Sequence, residues 1–192
     1  MAVLEINSVK ESLLRLSRDK YHQMIDLGII TEKSELLDGI VIQKMPKKPV
    51  HTYVVEQLFW FIYRTLLKSN YKIRKEEPLV LDNSEPEPDL AIVEADEYDY
   101  AYGHPNFASF VIEVALTTIE LDRTKASIYA KGNIPEYWII NLLEKTIEVY
   151  TSPIGNQYSS KKVFTFQEEV SSLQFAELKV FLPEILHPNF LV

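Results

Sequence analysis

Phe110-Val111-Ile112-Glu113-Val114-Ala115-Leu116 is the stretch on which the fold turns. Six of its seven residues are apolar, and Val111, Ile112 and Val114 are β-branched, so the run predicts a strand buried on both faces. The two-residue period places Val111, Glu113 and Ala115 on one face and Phe110, Ile112 and Val114 on the other. Glu113 interrupts this run. A carboxylate buried there without a partner costs several kcal/mol, so it requires a buried base, hydrogen bonds or a metal beside it.

Moving upstream, Asp89 follows Pro88 and opens a second short β-rich run, Leu90-Ala91-Ile92-Val93. The acidic, aromatic connection from Glu94 to Phe107 reads as a hairpin loop, and pairing of the two strands brings Asp89 and Glu113 to one place. Two oxygen ligands of that kind suit Mg²⁺ or Mn²⁺, which take carboxylates together with waters and substrate phosphate oxygens. Downstream, a helix over about Leu121 to Lys131 is stopped by Gly132-Asn133. Asp122, Lys125 and Tyr129 share one face of it, so Lys125 can point back at the acids. An ammonium group in that position orients an attacking water and helps neutralise the phosphorane of phosphodiester hydrolysis. Each residue also has a structural reading. Asp89 can cap a turn, Glu113 and Lys125 can form a purely structural ion pair, and Asp122 can simply favour a helix N-terminus.

Further out, Val54, Val55, Leu58, Phe59, Ile62, Leu66 and Leu67 follow the helical period from Val50 to Leu67. Asp38-Gly39, between Glu35-Leu36-Leu37 and Ile40-Val41-Ile42, signals a tight hairpin. Tyr71 to Leu81 alternates loosely, Tyr137 to Asn141 and Thr146 to Tyr150 read as strands, and from Lys161 onward come short β-like pieces. The first ~30 residues look helical, on Leu13, Leu14, Leu16, Tyr21, Met24, Ile25 and Leu27, and end near Gly28. The order is that of an α/β chain around one mixed sheet, a single domain over 1–192 with 1–30 as an N-terminal helical extension.

Composition narrows the chemistry. The 192 residues contain no cysteine, which removes disulfides, thiolate metal sites and thiol catalysis, and any metal must be held by oxygen or imidazole. With 20 Lys+Arg against 28 Asp+Glu, the net charge of −8 opposes duplex binding through a basic surface alone. Lys47-Lys48 is too short a run to change that. Neither a signal peptide nor a membrane span is evident, which gives the expectation of a cytoplasmic protein without membrane contact.

Six ordered blocks carry a resemblance. They are Glu35-Leu36-Leu37-Asp38-Gly39, Glu77-Pro78-Leu79, Glu85-Pro86-Glu87-Pro88-Asp89-Leu90-Ala91-Ile92-Val93, Val111-Ile112-Glu113-Val114, Asp122-Arg123-Thr124-Lys125 with Tyr129, and Pro135-Glu136-Tyr137-Trp138-Ile139. Over about Glu35 to Tyr150 the chain resembles the Uma2 family, formerly a domain of unknown function, within the PD-(D/E)XK endonuclease superfamily. The resemblance implies a restriction-endonuclease-like central mixed β-sheet flanked by helices. It also implies a Mg²⁺-dependent endonuclease acting on DNA rather than RNA, with Asp89 and Glu113 as metal ligands and Lys125 assisting the attacking water. The superfamily's usual lysine lies two residues after the second acid, where this chain has Ala115, and in Uma2-like sequences the helix lysine replaces it. His51 matches a histidine of such sequences and, with Asp122, is a further candidate; Glu56 lies one helical turn on. A homodimer cutting two strands is the implied assembly. The alternative is a catalytically inactive nuclease-fold protein serving as a nucleic-acid-binding or protein-interaction module.

Overall fold

The computed structural model describes residues 12–98 and 100–187. Six strands form the central sheet in the order β3-β4-β5-β6-β7-β8. These are β3 (Tyr71–Lys75), β4 (Leu90–Glu94), β5 (Phe110–Ala115), β6 (Glu136–Asn141), β7 (Thr146–Ile154) and β8 (Gln157–Thr165). Only β5 and β6 run parallel, and helix α3 (Ile119–Lys131) makes the crossover between them. Helix α2 (Pro49–Leu66) lies on the opposite face. The sheet is therefore mixed and flanked by helices, as the resemblance implies.

The alternation along β5 divides the core. Phe110, Ile112 and Val114 pack with Leu58 and Ile62 of α2 and with Trp138, whereas Val111 and Ala115 pack with Tyr129 of α3, Tyr137 and Ile139. Every residue of β5 is buried, Glu113 included. Helix α3 ends as its composition predicts, with Asn133 in the left-handed region at φ +56° directly after Gly132.

Ahead of the sheet, β1 (Ser34–Leu37) and β2 (Ile40–Gln43) form a hairpin whose turn residues Asp38 and Gly39 both have positive φ, the geometry that an Asp-Gly turn permits. The hairpin is fastened to the following segment by Glu85 N–H donating to Leu36 O at 2.7 Å and Gly39 N–H donating to Asn83 O at 2.9 Å.

Two sequence expectations change. The N-terminal helix α1 covers Arg18–Asp26 only, with Ser17 as N-cap; Leu13, Leu14 and Leu16 precede it outside any helix, and Leu14 is exposed. The part of that expectation falling on 1–11 lies outside the described residues. Second, β8 is a nine-residue strand that starts well before Lys161. Among the described residues the tail then holds β9 (Val170–Ser171), β10 (Lys179–Val180) and the short α4 (Leu182–Ile185). Among the described residues no helix is long and apolar enough to cross a membrane.

Candidate active site

Register explains why the two acids meet. The antiparallel ladder pairs Leu90 with Ile112, Ala91 with Val111 and Ile92 with Phe110, so one step further places Asp89 opposite Glu113. The two residues then clasp each other. Asp89 N–H donates to Glu113 Oε2 at 3.1 Å, and Val114 N–H donates to Asp89 Oδ2 at 2.8 Å. Each carboxylate thus satisfies a backbone donor at the frayed end of the ladder, where Pro88 has none to offer.

The crossover helix closes the site from one side. Lys125 Nζ donates to Glu113 Oε1 at 3.1 Å and Tyr129 Oη to the same oxygen at 2.9 Å. Asp122, in the first turn of α3, accepts from Thr118 Oγ1 at 2.7 Å and lies buried beside them. From the other side α2 contributes His51, whose Nε2 stands 3.1 Å from Asp89 Oδ2. Glu56 is elsewhere: it binds Lys75 at 2.6 Å and Trp60 Nε1 at 2.8 Å and does not line the cleft.

Two participants have no role in the sequence reading. Glu35 of β1 is buried and accepts from Lys125 Nζ at 3.0 Å and from Glu87 N–H at 3.2 Å, so the lysine is clamped between two carboxylates. Like Glu113, Glu35 is a charged residue in a strand buried along its whole length, but that burial shows only in the structure. Lys47, in the connection before α2, is the second. Its ammonium lies 2.7 Å from Glu76 Oε1 and 3.6 Å from Asp89 Oδ1.

These groups border an open cavity of about 570 Å³, lined by seven carboxylates and five lysines. Burial pushes the Glu113 carboxyl up to about 8 against the pull of Lys125, with Asp89, Asp122 and Glu35 adding repulsion. Burial likewise raises Asp122 to about 6. Asp89 is the exception. Burial opposes its ionisation, yet the bond and charge of His51 and the Val114 N–H hold it below the ordinary carboxylate range. Burial disfavours the Lys125 cation, but Glu113, Glu35 and Asp122 outweigh this and keep it charged.

The Uma2 family model, described as "Putative restriction endonuclease", matches residues 18–183. The chain belongs to the Uma2 family. In fold, this Uma2 protein is similar to a DUF820 protein from Anabaena variabilis ATCC 29413, described as "a putative nuclease", with a TM-score of 0.70 at 19% identity over 84% of this chain and 93% of that one. A partial match to the type IIG restriction endonuclease BpuSI, with a TM-score of 0.37 and 18% identity over 60% of this chain and 13% of that one, is too distant to carry weight. No curated protein matches the sequence.

Among the described residues no three His, Asp or Glu form a metal cage. Mg²⁺ does not need one, because it is held by one or two carboxylates and otherwise by water and phosphate oxygens. Asp89 and Glu113 meet that requirement in kind, and with Nε2–H donating to Asp89 the buried Nδ1 of His51 is an acceptor without a partner in the protein, which leaves it for a water.

Proposed function

We propose that this Uma2 protein is a metal-dependent endonuclease that hydrolyses DNA phosphodiester bonds. The observation supporting this most strongly is the clasp of Asp89 and Glu113 at the wall of an open cleft, with a buried, permanently charged lysine against the second acid. Asp89 and Glu113 would hold Mg²⁺, or Mn²⁺ in its place. When bound, such an ion supplies Lewis acidity toward the phosphate and acidifies a water. His51 fixes the orientation of Asp89 through Nε2. Two of the three Lys125 N–H bonds are spent on Glu35 and Glu113, which leaves one for the attacking water. Asp122 adds negative potential that helps retain the cation on Lys125.

Cleavage of supercoiled plasmid tests the reading. Nicking is expected with Mg²⁺ or Mn²⁺, none after EDTA, and a loss of at least ~100-fold in Glu113→Ala and Asp89→Ala. Activity that survives EDTA, or equals the wild type in Glu113→Ala, would sink it. Cutting both strands calls for two such sites, so the working unit is proposed to be a homodimer, measurable by sedimentation. Ala115 at the superfamily's usual lysine position favours a second reading, an inactive nuclease fold that binds nucleic acid. DNA binding without cleavage under every divalent ion would support it.

A further inference from the structure

We propose that Lys47 is the residue that takes up the substrate's phosphodiester at the cleft mouth, while Lys125 acts from within the wall through Glu113 and the water. The inference rests on the phosphodiester reading above and assigns the backbone contact within it.

The two lysines differ in what they can reach. The Lys125 side chain is 6% exposed and held between Glu35 and Glu113 at 3.0 and 3.1 Å. A phosphate approaching it would have to enter among three buried carboxylates. Lys47 is the opposite case, with a side chain 38% exposed on the open side of Asp89. Its closer partner, Glu76, is itself 37% exposed, so that pair is solvent-screened and easily exchanged. Its contact to Asp89 Oδ1 is the longer one, at 3.6 Å, and is the contact a divalent ion on Asp89 would displace by repulsion.

Neighbouring charge points the same way. Lys33, Lys44 and Lys48 line the cleft with Lys47, and Lys47-Lys48 lead directly into α2, whose first turn carries His51. A chain with a net charge of −8 thus still presents four lysines to this cleft besides Lys125. Seven carboxyl groups share the lining with the five lysines, so a divalent ion at Asp89 and Glu113 would lower the repulsion that a phosphate meets on entry.

The experiment measures binding rather than cleavage. A short DNA duplex is titrated in Ca²⁺ at several salt concentrations with the wild type, Lys47→Ala, Lys47→Arg, Lys125→Met and, as a control on the far edge strand, Lys162→Ala. Lys47→Ala should weaken binding about tenfold and reduce the slope of log K against log salt by about one, the signature of one lost phosphate contact. Lys47→Arg should restore the slope. Lys162→Ala should leave it unchanged, and Lys125→Met should lower it by less than Lys47→Ala does, with the fold of each variant checked by circular dichroism. Without DNA, Lys47→Ala should bind Mn²⁺ more tightly than the wild type, because a competing cation has left Asp89. An unchanged slope in Lys47→Ala, a slope lowered more in Lys125→Met than in Lys47→Ala, or no duplex binding by the wild type overturns the assignment. If Lys47 governs the slope but plasmid is never cut, the contact stands and the hydrolytic reading fails. If plasmid is cut and the slope ignores Lys47, the reverse holds.

Discussion

Glu113 accepts three donors, the Asp89 N–H, the Lys125 ammonium and the Tyr129 hydroxyl, yet burial still lifts its carboxyl to about 8. At neutral pH a metal must therefore expel a proton to bind there. Mn²⁺ affinity is expected to rise with pH up to about 8, with about one proton released per ion near pH 7. Calorimetry in buffers of different ionisation enthalpy reads that number, and proton-independent binding would place the ion elsewhere. Lys125 makes a second demand at this scale. Lys125→Ala leaves Glu35 and Glu113 buried without their cation, which should cost about 3 kcal/mol in urea unfolding. Adding Glu35→Gln to Lys125→Ala should recover part of that loss, because one of the stranded charges is gone.

At the scale of elements, the β1–β2 hairpin is what delivers Glu35 to the site. Gly39 occupies φ +79°, and a Cβ there would meet Arg15 Cβ and Asn83 Nδ2 at 2.7 Å each. Gly39→Ala should cost ~1–3 kcal/mol in urea unfolding and weaken Mn²⁺ binding as the hairpin shifts. A neutral effect on both would detach the hairpin from the site. The turn itself was readable from Asp38-Gly39, as β5 was from its alternation, since both signals are local. Glu35 escaped because its partner Lys125 arrives from α3, and no spacing in the sequence announces that meeting. Strand β8 escaped for another reason: it is an edge strand, largely exposed, in which Ser159, Ser160, Lys161 and Lys162 supply little apolar pattern. Leu13, Leu14 and Leu16 misled in the opposite sense, since apolar spacing predicts a helix only where a face is buried, and Leu14 is exposed. Lys47-Lys48, too brief to read as a patch, gains its place from Lys33 and Lys44, which the hairpin brings to the same cleft.

For the whole molecule, buried acids set the pH range of stability from both ends. Glu148 is buried against Arg123, Lys161 and the Tyr150 hydroxyl; burial opposes its charge, but these bonds prevail and hold its carboxyl at about 2. Its contribution, on the order of 3 kcal/mol, is present above the ordinary value of 4.5 and is lost as pH falls toward 2. Asp122 and Glu113 are raised instead, so their contribution is complete only below the ordinary values of 3.8 and 4.5 and is lost progressively as pH rises from there to about 6 and about 8. The metal-free protein should melt highest at about pH 4 to 4.5, where the Glu148 gain is nearly complete and the two losses have barely begun, and Mn²⁺ should flatten the decline above it because it binds the ionised Glu113. A Tm that stays level from pH 5 to 9 without metal would contradict this balance.

The parallel pairing of β5 with β6 has one more consequence. Because the chain must leave the sheet and return beside it, Lys125 rides on a crossover whose packing face is complete only once β6 adds Tyr137 and Ile139 to the residues of β4 and β5. A nascent chain emerging only as far as α3 already contains Glu35, Asp89, Glu113 and Lys125, yet it lacks the Tyr137 and Ile139 on which α3 rests. The charged residues of the site are thus synthesised early and their surroundings completed late, once β6 has added its share of the face on which α3 rests.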